Sequence, residues 1–431
     1  MRIAIKTLGC KVNQAESDAL VSKLAQNGFE IVDFSEESDL YLINGCAVTQ
    51  EAERKTRQMV RQALRRNTQA LVLLTGCTAR LLLEERRDPW NGRVVILPVQ
   101  DKEKEILEYL GQFVSPSAQR HHKVSSSRVR SWVKVEDGCD HFCSYCIVPH
   151  LRGGVRSEPP QKILAEVQDL ETKGVKEIVL CGINLGYFGR DIAFPFINLL
   201  ELLVRRTGQV RFRLSSFEPF LLTRFFLERY FALGRRVCPH FHLPLQSGSD
   251  PILQKMGRGY DTAFYRSLVD TLRQMVPSVA VTTDVMVGFP GETEEDFQNT
   301  VHFCRAIGFS RMHVFSFSPR PGTPAFRWEK EMGVRCEEKK QRERTLLELA
   351  EESRYQYHRQ FLDKNVEVVV ESVRSGMAFG YSENYIPVRI PGVPEEKIGE
   401  VVRVTINRIE RDFVVAEPLV ESEEPGGVKH V

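Results

Sequence analysis

Apolar runs alternate with amphipathic stretches through the first hundred residues. The runs RIAIKTLG, LYLINGC, ALVLLTGC and VVILP are separated by patterns such as EAERKTRQMVRQALRRN, in which apolar residues recur every three or four positions. Short apolar runs of this kind predict buried strands, and the longer period between them predicts helices. The alternation predicts a doubly wound α/β domain with a parallel sheet over residues 1–113.

A second alternating segment follows a polar stretch, SPSAQRHHKVSSSR, which predicts a linker over residues 114–128. Between residues 129 and 362 the candidate strands are EIVLCG, QVRFRLSS, HFHLPL, VAVTTDVMVG and RMHVFSFS. Helices are predicted between them, including one over 260–275, and a long charged helix over 335–362 closes the segment. This pattern predicts a partial β/α barrel, a fold whose chemistry is located at the carboxyl ends of the strands.

The last segment changes to a period of two. VEVVVESV, YIPVRIP, GEVVRVTINRIE and DFVVAEPL alternate apolar and polar residues and are interrupted by glycines. This predicts a small antiparallel β-barrel over residues 363–420, of a kind that often binds oligonucleotides. Residues 421–431 form a polar tail.

Composition narrows the cellular setting. The N-terminus has no signal-peptide pattern, and no stretch approaches the ~20 apolar residues that span a membrane. We therefore expect a cytoplasmic protein with no membrane partner. The net charge of +2 argues neither for nor against a nucleic-acid partner. In a reducing compartment the ten cysteines are expected to bind metal, act in catalysis or pack in the core.

One cysteine motif stands at the start of the central segment. Cys139, Cys143 and Cys146 have the spacing C-x3-C-x2-C, with the aromatic Tyr145 directly before the last cysteine. Three thiolates in one loop can hold three corners of a [4Fe–4S] cluster and leave its fourth iron open. Zinc is the alternative, but structural zinc sites usually need a second cysteine or histidine pair, and none follows at a suitable spacing.

Three more cysteines stand at the ends of predicted strands in the first segment. Cys10, Cys46 and Cys77 each follow a glycine where a strand meets a loop. The carboxyl ends of parallel strands converge on one edge of a sheet, so distant residues can meet there. A single cysteine in this position is more often a small buried apolar residue. Three at equivalent positions predict a second [4Fe–4S] cluster, again with an open iron.

The sequence around these cysteines resembles the radical S-adenosylmethionine (SAM) methylthiotransferases. The resemblance is carried by EDGCDHFCSYCIVPHLRGGVRS, GINLGYFG, FRLSSFEP, HLPLQSGSDPILQKMGRGY, DVMVGFPGETEEDF and FSFSPRPGTPA, and it covers nearly the whole chain. The cysteines of that family's N-terminal domain occupy the same positions as Cys10, Cys46 and Cys77. The C-terminal segment resembles the TRAM module, an RNA-binding barrel, in GYSENY.

The resemblance implies a reaction and its cofactors. The open iron of the cluster held by Cys139, Cys143 and Cys146 is expected to bind SAM, whose one-electron reduction yields methionine and a 5′-deoxyadenosyl radical. The second cluster is expected to deliver sulfur, and a second SAM the methyl group. The expected cofactors are two [4Fe–4S] clusters and SAM, and the expected partners include a sulfur donor and an electron donor such as ferredoxin or flavodoxin.

Polar residues and glycines at predicted strand ends are candidates for contacting SAM. No side chain is assigned as a catalytic acid or base, because the clusters and SAM carry the chemistry. The candidates are Tyr145, Gly182, Asn184, Ser215, Ser216, Glu218 and Gln246.

His240 and His242 are predicted to share one face of a strand. With no third ligand evident, packing or hydrogen bonding to the substrate is favoured over a metal pair.

Two features are candidates for RNA contact. The helical pattern after Cys46 is basic, and Arg54, Arg57 and Arg61 are its candidate phosphate ligands. In the C-terminal segment, exposed Tyr381 or Tyr385 can stack on bases. Acidic side chains outnumber basic ones in this segment, which argues against a broad phosphate-binding surface.

The resemblance also narrows the substrate. The opening TLGCKVNQ is similar to the branch of the family that modifies C2 of N6-threonylcarbamoyladenosine at position 37 of tRNA, next to the anticodon. Other branches act on isopentenyladenosine in tRNA or on an aspartate of a small-subunit ribosomal protein, and the acidic C-terminal segment suits the basic protein substrate. An alternative from a different class of function remains: a non-catalytic RNA-binding protein whose fold is stabilised by a structural metal.

Overall fold

Five parallel strands with helices on both faces make up the N-terminal unit, in the strand order β2-β1-β3-β4-β5. One core lies between the sheet and α2 and α3, and a second lies between the opposite face and α1 and α4. The predicted doubly wound α/β fold is therefore confirmed. The elements are β1 (Arg2–Thr7), α1 (Lys11–Gln26), β2 (Glu30–Val32), β3 (Leu40–Gly45), α2 (Gln50–Arg66), β4 (Leu71–Gly76), α3 (Cys77–Glu84), β5 (Val95–Ile96) and α4 (Lys102–Gly111).

The computed structural model describes residues 1–97, 102–111 and 129–419. The predicted linker over 114–128 and the predicted tail over 421–431 lie outside the described residues. Among the helices of the described part, none combines the length and the apolar character needed to cross a bilayer.

The central unit is a partial β/α barrel of six parallel strands. Two three-stranded sheets, β10-β9-β6 and β11-β12-β13, are joined by bridges from Phe212 to Val237 and from Ser216 to His242. The elements are β6 (Arg130–Lys134), β7 (Glu136–Asp137), α5 (Val148–Arg152), β8 (Arg156–Ser157), α6 (Pro160–Thr172), β9 (Glu177–Cys181), α7 (Phe196–Arg206), β10 (Arg211–Leu214), α8 (Arg224–Ala232), β11 (His240–His242), α9 (Asp250–Met256), α10 (Thr262–Met275), β12 (Ala280–Val287), α11 (Glu294–Ile307), β13 (Arg311–Ser316), α12 (Pro324–Met332) and α13 (Cys336–Arg359).

A closed five-stranded barrel forms the C-terminal unit, in the order β14-β15-β16-β18-β17. Its strand pairs are antiparallel except β16 with β18, which close the barrel in parallel. Tyr357 and Phe361, at the end of α13, pack into its core and tie it to the central unit. The elements are β14 (Asn365–Arg374), β15 (Met377–Ser382), β16 (Pro387–Pro391), β17 (Val401–Ile409) and β18 (Val414–Pro418).

A buried ion cluster holds the C-terminal barrel against the amino-terminal ends of the central strands. Glu177, fully buried at the start of β9, accepts from Arg211 Nε (2.7 Å) and Arg213 Nε (2.7 Å), with Arg130 Nη1 at 3.5 Å. Arg213 also donates to the carbonyls of Ser382 (3.0 Å) and of the next residue along the chain. Arg130 also pairs with Glu371 on β14, so all three arginines around Glu177 bond directly to the C-terminal unit.

The variant E177Q is expected to destabilise the protein by about 3–5 kcal/mol, because removing one partner of a buried ion cluster leaves the other charges uncompensated. Denaturant unfolding followed by circular dichroism measures the change. The control is E228Q, which breaks an exposed helix pair with Arg224 and should cost less than about 0.5 kcal/mol. Equal stability of E177Q and wild type contradicts the assignment.

Acidification is expected to act through the same carboxyl group. Burial alone raises the pKa of Glu177, but the charges of Arg213 and Arg211 outweigh it and lower the pKa below the usual value of 4.5. A carboxyl whose pKa is depressed by folding contributes stability above its unfolded-state pKa, and that stability is lost as the pH falls. The wild type should therefore lose stability below about pH 4.5 more steeply than E177Q does.

Candidate active site

The first cysteine motif folds into a tight loop between β7 and α5. The N–H of Cys139 donates to the carbonyl of Gly153 (3.0 Å), and the N–H of Cys146 donates to the carbonyl of Cys143 (3.0 Å). The three thiols lie close enough to interact electrostatically. Burial raises the pKa of Cys139 to about 11 and that of Cys146 to about 12. Three converging sulfur donors fit an iron–sulfur cluster with one iron left open.

Positive groups face the middle cysteine of the loop. Burial raises the pKa of Cys143, but a hydrogen bond from His141 and the charge of Arg258 outweigh it and lower the pKa below its ordinary value. Arg258 Nη1 lies 3.3 Å from Cys143 Sγ and 3.3 Å from the Tyr145 hydroxyl oxygen. Its Nη2 is paired with Glu218. Arg258 therefore joins the cysteine loop to two of the residues predicted to contact SAM.

Arg258 is a site residue that the sequence analysis missed. It follows Gly257, which ends α9 in the left-handed conformation with φ +73° and turns the chain back toward the cysteine loop. The available signal was a single arginine between two glycines directly after a short helix. This turn directs the Arg258 side chain toward Cys143.

The residues predicted to contact SAM lie around the carboxyl ends of β9, β10 and β11, at the same end of the barrel as the cysteine loop. The N–H of Gly182, after β9, donates to the hydroxyl of Ser215, after β10 (3.4 Å). Ser216 bridges to His242 at the end of β11. The structure brings Tyr145, Gly182, Asn184, Ser215, Ser216, Glu218 and Gln246 to one end of the barrel.

Two of these residues carry buried polar atoms without a partner among the described residues. Asn184 is 3% exposed, and both its side-chain oxygen and its side-chain nitrogen lack a hydrogen bond. Gln246 has an unpartnered Oε1 and a backbone φ of +70°, a strained value typical of functional sites. Buried amides are nearly always hydrogen-bonded. These unpaired groups therefore fit a polar ligand such as SAM.

Glu136, which the sequence analysis also missed, faces the same place. It is fully buried, its Oε2 accepts from the N–H of Asn184 (2.9 Å), and its Oε1 has no partner among the described residues. Burial raises the pKa of Glu136 to about 9. A Cβ at Gly182 would lie 2.6 Å from Glu136 Oε2, so the glycine leaves room for the carboxylate in its present position. Glu136 thus adds one buried carboxyl group to the SAM candidates.

The second set of cysteines converges at one edge of the N-terminal sheet. Cys10 follows β1, Cys46 follows β3 and Cys77 begins α3 after β4, and these three strands are neighbours. A Cβ at Gly9 would lie 2.6 Å from Cys46 Cβ and 2.9 Å from its Sγ, which shows how closely the loops approach. Burial raises the pKa of Cys46 to about 12, and the neighbouring thiols of Cys77 and Cys10 act in the same direction. Mutually repelling thiolates fit ligation of a cationic metal cluster.

The two cysteine sets meet across α5. Ile147 and Leu151 lie on the segment that directly follows Cys146, and both pack against Cys77 in one small core. The helix α5, which follows the first cysteine motif, therefore also packs against the second set of cysteines. This contact places both candidate clusters on the same side of the N-terminal unit's interface with the barrel.

Arg152, the last residue of α5, is fully buried at this interface and was not anticipated from the sequence. Its Nη1 lies 2.7 Å from Asp137 Oδ1 and 3.2 Å from Glu16 Oε1, and its Nη2 donates to Asn13 Oδ1. Asp137 stands two residues before the first motif, and Asn13 three residues after Cys10. One guanidinium therefore bonds to the flanks of both cysteine sets.

The basic helix α2 is less available to RNA than its sequence indicates. Arg54 bonds to Glu51 (2.6 Å), and Arg57 is paired with Glu53, which also binds Arg320 (2.9 Å). The contact with Arg320 docks the start of α2 on the barrel unit. Further along the helix, Arg61 lines a surface cavity of about 370 Å³.

Tyr381 and Tyr385 are half-buried, which corrects the expectation that they are exposed. Their rings stack on each other with centroids 4.8 Å apart, and Arg130 and Arg213 lie over the ring faces. Lys11, from the N-terminal unit, lies 6.0 Å from the Tyr385 ring. All three units therefore meet at this aromatic pair.

A partial β/α barrel with a C-x3-C-x2-C loop at the carboxyl end of its strands, and unpaired buried polar groups beside that loop, defines a radical SAM enzyme. Profiles of known families agree with this class. The Radical SAM superfamily matches residues 133–304, the uncharacterized protein family UPF0004 matches residues 2–90, and the TRAM domain matches residues 361–419.

Full-length relatives are more specific. The chain is 36% identical to the threonylcarbamoyladenosine tRNA methylthiotransferase MtaB of Thermotoga maritima, over 96% of each protein, and 36% identical to that of Bacillus subtilis, over 94% of this chain and 93% of the relative. A tRNA-2-methylthio-N(6)-dimethylallyladenosine synthase of Natranaerobius thermophilus is 34% identical over 93% of each. The chain therefore belongs to the radical SAM tRNA methylthiotransferase family.

A solved structure agrees at the level of the fold. The radical SAM methyltransferase TsrM of Kitasatospora setae, solved with cobalamin and a [4Fe–4S] cluster, matches with a TM-score of 0.54 and 15% identity, over 75% of this chain and 77% of that one. Family membership confirms the predicted enzyme class and the predicted cofactors, two [4Fe–4S] clusters and SAM.

The variant R152M should destabilise the protein and empty the second cysteine set. Without the guanidinium, the buried carboxylates of Glu16 and Asp137 keep the partly exposed Lys134 but lose their fully buried partner, which costs about 3 kcal/mol. Iron and sulfide content after anaerobic reconstitution, together with denaturant unfolding, measures both effects. The variant R152K should recover part of each, because it keeps the charge but loses the fork of hydrogen bonds. R224M, which removes an exposed arginine, is the control. Full iron content in R152M would show that the second cysteine set binds its cluster without Arg152.

Removing one cysteine from either set should halve the iron content. C143A and C46A are each expected to fall from roughly eight to roughly four irons per chain, because each loses one ligand of one [4Fe–4S] cluster. Electron paramagnetic resonance should show that the two variants lose different signals. C304A alters a thiol buried in the core of the barrel unit and should keep both clusters. Stoichiometric zinc in the wild type contradicts the cluster assignment.

Proposed function

We propose that this chain inserts sulfur and a methyl group at C2 of N6-threonylcarbamoyladenosine at position 37 of tRNA. One observation carries the proposal: the two cysteine sets meet across α5, where Cys77 packs against Ile147 and Leu151. Methylthiolation of an unactivated carbon needs a radical source and a sulfur source that act on one substrate. Packing of α5, which directly follows the first cysteine loop, against Cys77 of the second set supplies that proximity.

The clusters and SAM supply the radical, the sulfur and the methyl group when bound. The chain contributes ligands, orientation and a dry environment. Cys139, Cys143 and Cys146 hold the first cluster, and Cys10, Cys46 and Cys77 hold the second. The unpaired polar atoms of Asn184, Gln246 and Glu136 bind SAM beside the first cluster. Arg258 balances the charge of the thiolate of Cys143 and fixes Tyr145 and Glu218 around it.

A tRNA substrate is supported by the names of the relatives and by the TRAM match at the C-terminus. The relatives with 36% identity act, by name, on threonylcarbamoyladenosine in tRNA. On α2, Arg61 lines a surface cavity and supplies a phosphate contact. A tRNA substrate is consistent with the cytoplasmic location expected from the sequence. An electron donor such as ferredoxin or flavodoxin and a separate sulfur donor complete the reaction.

An assay with defined substrates tests the proposal. The reconstituted enzyme is incubated anaerobically with SAM, a reductant and sulfide, together with anticodon stem-loop RNA whose position 37 is threonylcarbamoyladenosine, dimethylallyladenosine or adenosine. The fourth substrate is a peptide of the ribosomal protein that contains the aspartate on which another branch of the family acts. Mass spectrometry of the digested products should show methylthiolation of the threonylcarbamoyladenosine RNA.

The variants C143A and C46A separate the steps of the reaction. C143A should abolish SAM cleavage, whereas C46A should still cleave SAM but form no methylthio product. Preferred reaction of the dimethylallyladenosine RNA or of the peptide places the chain in another branch of the family. Absence of SAM cleavage in the wild type with both clusters loaded favours the non-catalytic metal-stapled protein.

A further inference from the structure

Three polar side chains inside the barrel belong to neither cysteine set. His242, Asp284 and His313 lie on the adjacent parallel strands β11, β12 and β13, and Asp284 and His313 are partners in register. His313 Nδ1 lies 3.1 Å from Asp284 Oδ1, and His242 Nε2 lies 3.3 Å from Asp284 Oδ2. We name this group the His–Asp–His cluster.

The cluster lies between the candidate SAM site and the C-terminal unit. Side chains alternate along a strand, so Thr282, Asp284 and Met286 share the inner face of β12. Met286 packs with Tyr145 of the cysteine loop. At the other end, Thr282 lines a cavity of about 310 Å³ that is bounded by the C-terminal unit. The N–H of Gln246, a SAM candidate, donates to the carbonyl of Asp284 (2.8 Å).

Hydrogen bonds fix the cluster in one orientation and leave one ring available. The second nitrogen of His242 lies 3.0 Å from the Thr282 hydroxyl oxygen, so this ring is held at both nitrogens. Burial alone raises the pKa of Asp284, but hydrogen bonds from His242 and His313 outweigh it and lower the pKa below its usual range. The His313 side chain is 50% exposed and uses only Nδ1 for Asp284. Its Nε2 is left to meet a ligand.

We infer that the His–Asp–His cluster binds the polar N6 substituent of the substrate adenosine, with His313 as its main contact. This inference rests on the proposed function. The threonylcarbamoyl group carries carbonyl and carboxylate acceptors for an imidazole N–H, and hydroxyl and amide donors for the carboxylate of Asp284. A nucleoside with its reacting carbon beside the SAM candidates places its substituent further along the inner face of β12, where the cluster lies.

The same chemistry disfavours an apolar substituent. A dimethylallyl group offers no donor or acceptor, so binding it would strip water from an imidazole and a carboxylate without replacing their hydrogen bonds. Sites built to hydrogen-bond a substrate group discriminate strongly against analogues that lack it. The cluster therefore selects the threonylcarbamoyl form over the dimethylallyl form.

A metal ion is the competing occupant, because donor atoms of the three side chains lie within 4.8 Å of one another. Two histidines and one carboxylate are a known ligand set for divalent transition metals. The hydrogen bonds within the described cluster already engage both oxygens of Asp284 and both nitrogens of His242. This arrangement favours a preorganised hydrogen-bonding site over a metal site.

Equilibrium binding tests the inference without turnover. Cluster-loaded wild type and H313F are titrated anaerobically with labelled stem-loop RNAs that carry threonylcarbamoyladenosine, dimethylallyladenosine or adenosine at position 37. H313F keeps the size of the ring but removes its hydrogen bonds. Its affinity for the threonylcarbamoyladenosine RNA should fall about 10- to 100-fold, the range expected for losing one or two bonds to charged groups. Its affinity for the adenosine RNA should be unchanged.

Two further variants sharpen the result. H313Q keeps a side-chain donor and should recover part of the affinity, whereas H302F replaces an exposed histidine on α11 and should bind like wild type. Circular dichroism and iron content confirm that H313F folds and keeps both clusters.

The inference is overturned if H313F binds the threonylcarbamoyladenosine RNA as tightly as wild type. It is also overturned if a stoichiometric metal beyond the cluster iron is lost in H313F. Failure of the proposed function looks different, since the wild type itself would then show no preference for the threonylcarbamoyladenosine RNA.

Discussion

The geometry of the active site depends on the charge of one buried guanidinium. Arg152 bonds to Asp137 on one side and to Asn13 and Glu16 on the other, so it ties the loop of the barrel cysteines to the loops of the N-terminal cysteines. In a low-dielectric interior such an ion cluster tolerates little displacement, because each carboxylate needs its partner. The relative position of the two sulfur sites therefore follows from electrostatics as well as from packing around α5.

A second buried ion cluster performs the equivalent task at the opposite end of the barrel. Glu177 and its arginines lie at the amino-terminal ends of the strands and bond to carbonyls of the C-terminal unit. The barrel is thus fixed to the N-terminal unit at the carboxyl ends of its strands and to the C-terminal unit at their amino-terminal ends. Both neighbours meet again where Lys11 approaches Tyr385. Along the inner face of β12, Met286 lies toward the cysteine loop and Thr282 toward the C-terminal unit.

Hydrophobic periodicity was sufficient to predict the three units and the convergence of Cys10, Cys46 and Cys77, because parallel strands bring their carboxyl ends to one edge. Helix α10 begins and ends within two residues of its expected bounds. The short strand β2 was missed because three residues carry too little pattern. Arg152 and Glu136 were missed for another reason. Their partners lie far along the chain, and no local period encodes which buried charges will meet.

The surfaces expected to bind RNA are already engaged within the protein. Arg54 and Arg57 are paired with glutamates of their own helix, and Tyr381 and Tyr385 stack under arginines of the barrel. Phosphate contacts position an RNA but carry no information about which base is modified. Discrimination between N6 substituents must therefore occur where the substituent itself is desolvated, inside the barrel. His313 on β13, held by Asp284 of β12, is placed to make that distinction.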